Sequence, residues 1–505
     1  MIFKHVARAA QICRALGYAN ILPNLTNQNS SYHIFVRHEK SVNTMLDYDC
    51  WQGKKVDEVI SSIVLLCQMD LLKDVTHLEV VSDDFHMSKF IDDQAKLFQN
   101  EGNDEPFYVG NVSEILERIA SFKKFLPNVQ PFYAVKCVPA RLVLKLLSHY
   151  GLGFDCASKS EMEAVLSLGV SPDRIIFAHT VKMASHLRYA AENKVAMMTF
   201  DCEDELHKIK KIYPDAELLI RIRVDDSKSR FKLGKKFGVA AEDSEALLKL
   251  AKKNNQNVIG VSFHVGSDCA HPTMFRNAVK AARTVFDEAE NMGLKFSILD
   301  IGGGFPGVKK KDNLFKEIAN TLQQALAEHF PPSFGVKIIA EPGRFYVQSA
   351  FTLVSRVSAV KHTPEVNGNK TENQNFVYYL NDGIHGSFFY YDPDLPPRPL
   401  KSKKEETLHL STLWGPTCSQ TDLIGEGFRL PKMDSGDLLI FEDMGAYSFS
   451  CVTNFNGYGE IKIVYIISES DVQNLRNGCL RHISSRNMKK DAFENMLEKF
   501  TSESM

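Results

Sequence analysis

Between Pro131 and Phe345 the chain switches eight times between a short, nearly continuous apolar run and a stretch with helical spacing. The runs are PFYAVKCV, GLGFDCAS, RIIFAHT, KVAMMTFD, ELLIRIRVDD, NVIGVSFHVGS, KFSILDIGGGF and GVKIIAEPGRF. Each is dense in aliphatic, aromatic and β-branched residues, as strands buried on both faces of a parallel sheet require. The intervening stretches suit helices. From Pro272 to Met292, residues Phe275, Ala278, Val279, Ala282, Val285, Phe286 and Ala289 form one apolar stripe, and Gly293 supplies a stop. The alternation predicts an α/β fold, a (β/α)8 barrel. After Phe345 the pattern becomes SAFTLVSRVSAV, NFVYYLND, GDLLIFED and EIKIVYIIS between Pro, Asn and Gly turns, which predicts a separate all-β domain. Residues 367–375 read as an exposed loop and DPDLPPRPLKSKKEE as a mobile segment. The expected division is 1–102 as an N-terminal extension and lead-in to the β domain, 103–345 as the barrel, 346–470 as the β domain and 471–505 as a tail. Within that tail, Phe493, Met496, Leu497 and Phe500 have the spacing of one amphipathic helix face.

At 505 residues the chain exceeds a single core, and 44% hydrophobic with 24% charged residues matches soluble globular proteins. Sixty basic against 62 acidic side chains leave no global field for nucleic acid or an anionic membrane, so a small-molecule substrate is the expected partner. Ten cysteines without paired spacing point to buried thiols in a reduced compartment and to no metal site. That reading is cytoplasmic. The first 38 residues contain no Asp or Glu, carry Lys4, Arg8, Arg14 and Arg37, and also resemble a mitochondrial presequence.

Six runs carry polar groups or glycines at their C-terminal ends: Lys136, Asp155, Arg221, His264, Gly302 to Gly304, and Glu341. In a barrel those ends converge on the face where active sites form. A lysine or a glycine triplet alone would be weak, since each is often only a surface side chain or a tight turn.

Seven motifs, PFYAVKC, GFDCASKSE, GVSFHVGS, LDIGGGFPG, EPGRF, WGPTC and DMGAYSFS, appear in one order between Leu78 and Ser468. Together they resemble the eukaryotic ornithine decarboxylase family. The resemblance implies an alanine-racemase-like barrel with a C-terminal β domain, pyridoxal 5'-phosphate as cofactor, and a homodimer with shared active sites. It implies Lys136 as the Schiff-base lysine and Glu341 facing the pyridine nitrogen. Gly302, Gly303, Gly304, Gly343, Arg344, Ser267 and Tyr447 would hold the phosphate, His264 would stack on the ring, and Asp155, Glu161 and Arg221 would organise it. The chemistry agrees, because a carbanion at Cα needs an electron sink that no side chain provides. Lys136 follows an apolar run, where desolvation is expected to favour its neutral amine.

By the same resemblance Cys418 reaches across the dimer to protonate Cα, and Asp392, Ser419, Tyr391 and Phe455 contact the substrate. The sequence departs from the family at three points. Ser419 replaces an acidic residue that pairs with the substrate's distal ammonium, the aromatic segment before Asp392 is shorter, and His385 stands where Tyr is usual. A missing partner for a buried charge costs roughly 2 to 5 kcal/mol, so the expected substrate is apolar. Leucine, giving isopentylamine, is the specific expectation, because the chain most resembles a leucine-decarboxylating paralogue. The alternatives are an ornithine decarboxylase of polyamine biosynthesis and a catalytically inactive antizyme inhibitor. Retention of Asp155 and Arg221 argues against the inhibitor, although the segment from Ala184 to Leu206 lies where the family meets antizyme. A racemase on the same barrel is disfavoured by WGPTC.

Overall fold

The computed structural model describes residues 25–28, 31–38, 42–47, 78–363, 375–401, 407–459 and 461–475. Of the presequence-like first 38 residues only 25–28 and 31–38 are described, and the 367–374 stretch and the 487–505 helix pattern lie outside the described residues. The chain divides into a smaller unit (1–93, 111–113, 463–505) and a larger one (94–110, 114–462). In the smaller unit, Leu25–Gln28, Ser31–His38 and Val42–Asp47 form an antiparallel sheet, and Leu78–Val81 pairs in parallel with the strand Lys462–Ser468.

The larger unit contains a closed barrel of eight parallel strands. In chain order these are Val129–Ala134, Gly153–Cys156, Ile175–Phe177, Met197–Phe200, Glu217–Arg221, Asn257–Ser262, Ile298–Asp300 and Lys337–Ala340. Every predicted apolar run contributes one strand. Inside, Phe132, Ile176, Met197, Leu219 and Ile339 pack as one layer, with Ile259 and Ile298 against it. The second strand contributes only Gly153, because the Phe132 ring fills the space that a side chain there would need, with ring atoms 2.5 Å from an added Cβ. The helix Pro272–Asn291 buries the seven residues of its expected stripe, and Gly293 follows with φ +75°.

The β domain is built on the long strand Phe351–Thr363, which pairs antiparallel with Phe107–Asn111, Leu438–Phe441 and Asn375–Leu380. Asn375–Leu380 runs parallel to Leu408–Trp414, which pairs antiparallel with Leu423–Pro431. The last two strands were not expected. Leu423–Pro431 carries Gly425 and Gly427, the latter at φ +77°, which mask the alternation. The Pro-rich segment expected to be mobile instead holds the short strand Arg398–Pro399, paired with Leu439 and Ile440, and Leu400 N–H donates to Leu438 O at 2.9 Å. A proline at a sheet edge needs no ladder donor, which reconciles its composition with pairing.

Candidate active site at the barrel mouth

Successive side chains of a strand alternate between faces, so residues two positions beyond the inner apolar layer point into the same lumen, nearer the C-terminal rim. Counting from Gly153, Leu219, Ile298 and Ile339, these positions are Asp155, Arg221, Asp300 and Glu341. Lys136 lies four beyond Phe132, on the single turn Val135–Cys137 that follows the first strand. Strand periodicity therefore collects three acids and Arg221 at one rim, and the turn after the first strand adds Lys136.

The Lys136 amine is ion-paired with Asp155, which is 1% exposed, while 43% of the lysine side chain remains open. Burial opposes the charge of Lys136, but Asp155, Tyr447, Glu341 and Glu161 outweigh it and raise the ammonium pKa above its ordinary value. The expected neutral amine is thus corrected. The apolar run supplies desolvation, but the barrel brings acids from other strands that overcome it.

Glu341 is buried and pushed well above the usual carboxylate range by desolvation and by the neighbouring Asp300 and Asp155. Its Oε1, like Asp155 Oδ1, is a buried oxygen without a hydrogen-bond partner. Asp300 accepts from Gly302 N–H at 2.9 Å and from Ser262 Oγ at 2.8 Å, and burial pushes its pKa up to about 6. Sequence reasoning missed Asp300 because it reads as part of the glycine turn, although its strand parity carried the signal.

His264 accepts from Gly266 N–H through Nδ1 at 3.0 Å, which leaves the proton on Nε2. Burial, Arg221 and Lys136 hold its pKa well below normal, so the ring is neutral. Glu161 Oε2 accepts from Ala157 N–H at 2.6 Å, while Ser158 Oγ accepts from Glu161 N–H at 3.3 Å, closing the first turn of the helix Lys159–Leu166.

Gly302 (φ +62°), Gly303 and Gly304 pass between neighbouring strands so closely that Cβ atoms would meet Phe263 O at 2.1 Å, Glu341 O at 2.7 Å and Gly266 O at 2.6 Å. Arg344, 7% exposed, donates to Ser267 Oγ at 3.2 Å and lies over the rings of Tyr447 (5.4 Å) and Phe231 (5.7 Å). Among the described residues it has no carboxylate partner. A buried guanidinium so placed calls for an anion. The Tyr447 hydroxyl stands 3.4 Å from where a Cβ on Gly343 would be, and Tyr447 N–H donates to Cys137 O at 3.3 Å. Tyr390 packs edge-on against both Phe231 (5.2 Å) and Tyr447 (6.1 Å).

Three other expected residues, Cys418, Ser419 and Phe455, belong to a different cluster. Cys418 is exposed on the loop after Trp414, its N–H donating to Asn456 Oδ1 at 3.0 Å. Ser419 Oγ meets Thr421 Oγ1 at 2.7 Å, and Phe455 stacks obliquely on His385 at 4.7 Å. Asp392 is ion-paired with Arg230, and Tyr391 OH donates to Leu395 O at 2.6 Å.

An amine, a buried acid with one unpartnered oxygen, a neutral imidazole and a glycine-lined turn beside an unpaired guanidinium fit pyridoxal phosphate, which needs a covalent anchor, a ring-nitrogen partner and a dianion cradle. The family described as pyridoxal-dependent decarboxylase, pyridoxal binding domain, matches residues 112–348. The chain is 43% identical over 408 residues to mouse (Mus musculus) ornithine decarboxylase, covering 78% of this chain and 88% of that one. It is 44% identical over 378 residues to Xenopus laevis antizyme inhibitor 2, covering 73% and 82%. The Paramecium bursaria Chlorella virus arginine decarboxylase bound to agmatine superposes with a TM-score of 0.70 at 34% identity, over 75% of this chain and 100% of that one. The chain is a pyridoxal-phosphate-dependent amino-acid decarboxylase and belongs to the family of the eukaryotic ornithine decarboxylases.

Proposed function

We propose that the chain decarboxylates ornithine, the first step toward a diamine in polyamine metabolism. The observation that carries the catalytic part is the Lys136–Asp155 pair at a rim completed by Glu341, His264 and the glycine turn. The ornithine part is supported by relatives named ornithine decarboxylase and by Asp392, one carboxylate retained for a distal ammonium. Bound pyridoxal phosphate supplies the electron sink that loss of CO2 requires.

The protein's own groups then have separable tasks. Lys136 is the attachment point, and Asp155 holds its amine in place. Glu341, its pKa raised by burial and by Asp300 and Asp155, would face the cofactor's ring nitrogen and supply the proton that keeps it cationic. Arg344, Ser267, Tyr447 and the glycine N–H groups hold the phosphate dianion. His264, neutral and fixed by its own chain, offers a flat face without adding positive charge beside Arg221. Cys418, exposed on its loop, donates a proton at Cα in the site of a second copy of the chain, as a homodimer requires.

Leucine decarboxylation is the second reading, favoured by Ser419 where the resemblance calls for an acid and by the engagement of Asp392 with Arg230. Incubating purified holoenzyme with ornithine, leucine and lysine while measuring CO2 decides between them; leucine turnover exceeding ornithine turnover overturns the ornithine reading. Borohydride reduction and peptide mapping test the anchor. A pyridoxyl mark is expected on the peptide containing Lys136, and an unmodified peptide from cofactor-loaded protein refutes the assignment.

A further inference from the structure

The segment Ser229–Phe231 forms a small antiparallel ladder with Ser267–Cys269, in which Phe231 lies opposite Ser267. The ladder therefore ties this loop to the residue that Arg344 grips. Alternation along it separates neighbouring side chains. Ser229 Oγ donates inward to Val265 O, and the Phe231 ring lies under the Arg344 guanidinium and against Tyr390. Between them, Arg230 reaches the segment that follows Phe388. Its guanidinium forms an ion pair with Asp392 Oδ2 and donates to Tyr391 O at 3.0 Å. The other carboxylate oxygen, Asp392 Oδ1, accepts from Asp394 N–H at 3.1 Å. Both oxygens of this carboxylate are therefore engaged from within the chain.

We propose that Arg230 is a specificity-determining residue: by occupying Asp392 it weakens the reward for a cationic substrate side chain and shifts preference toward uncharged ones. The inference rests on the reading that Asp392 lines the substrate pocket of a decarboxylase. It holds whichever amino acid the native enzyme prefers, because it concerns a ratio. A substrate ammonium must either displace the guanidinium or share an oxygen with it, which brings two like charges together. An apolar side chain instead meets a neutral pair. Arg230 and Asp392 keep 28% and 20% of their side chains exposed, so the pair is partly screened and can be broken by a competitor.

The test compares native holoenzyme with Arg230→Met, Arg230→Lys, Asp392→Asn and the Arg230→Met/Asp392→Asn double variant. Methionine keeps an apolar stem over the Phe231 ring, and lysine keeps the charge. Arg230→Met should raise the ornithine-to-leucine ratio of kcat/KM about tenfold or more, mainly through a lower KM for ornithine. Arg230→Lys should stay within about threefold of native, and the double variant should lose the gain. Calorimetry with putrescine and isopentylamine provides an activity-free readout, in which only putrescine should bind tighter to Arg230→Met. An unchanged ratio in Arg230→Met, or a gain that survives in the double variant, overturns the proposal. Absence of any decarboxylation by the native enzyme would defeat the functional reading instead, and the two calorimetric arms would still judge Arg230.

Discussion

Alanine at Gly302 perturbs the barrel rim and the cofactor cradle at once. An added Cβ would stand 2.1 Å from Phe263 O and 3.0 Å from His264 Cα, on a backbone with φ +62°. Neither Phe263 nor Gly302 itself can move freely, since Phe263 N–H donates to Asp300 O at 3.0 Å and Glu341 N–H donates to Gly302 O at 2.7 Å. The left-handed conformation costs about 1 to 2 kcal/mol and the overlap about 1 to 3 kcal/mol, so Gly302→Ala should lose about 2 to 5 kcal/mol of stability. If the turn shifts to relieve the overlap, loss of one N–H bond to a charged phosphate, about 1.5 to 3 kcal/mol, weakens cofactor binding about 10- to 150-fold. Urea unfolding of the apoprotein and absorbance titration with pyridoxal phosphate measure the two effects. Gly293→Ala is the control: φ is +75° but no atom lies within 4 Å, so only the backbone cost applies and cofactor affinity stays native. The reasoning is refuted if the two variants unfold at the same urea concentration and bind the cofactor equally.

Glu205→Gln should destabilise the fold by about 3 to 5 kcal/mol in urea, because Lys182 and Glu205 are a buried pair at 2.9 Å, 0% and 1% exposed. An effect below 1 kcal/mol would show that the Lys182 bonds to Thr199 O (2.6 Å) and His179 O (3.0 Å) suffice. Burial pushes Lys182 from 10.5 down to about 8, so between those values the unfolded chain holds the extra proton and stability rises with pH; Lys182→Met should flatten that rise in pH-dependent melts. Asp300 shifts the other way, from 3.8 to about 6 through burial, so the unfolded chain releases its proton first and apoprotein stability falls as pH rises through that window. Asp382 and Asp443 are raised to about 6 in the same way, so Asp300→Asn should remove only part of the fall, and an unchanged slope would deny the shift.

Particular residues show how far the sequence could be read. All eight barrel strands were legible, because a strand buried on both faces must be apolar throughout, a local signature independent of its neighbours. Most residues at the ends of the runs were legible because strand ends in a barrel share one rim, whereas Asp300 was lost in the glycine turn that follows it. Leu408–Trp414 was harder, because its inner positions alternate with exposed ones, including Leu408 at 49% exposure. Arg230 was invisible within DDSKSRFKLGKK, a charged stretch in which one guanidinium reads like any other.

The sequence by itself determined the barrel, its rim residues and the family, because these depend on period-two burial and on ordered local motifs. Only the tertiary structure decided the charge state of Lys136, the proton held near Glu341 and Asp300, and the engagement of Asp392. Each depends on charges summed through space, and Asp155, Glu341 and Arg230 reach their partners only because strand closure and a loop ladder bring distant segments together.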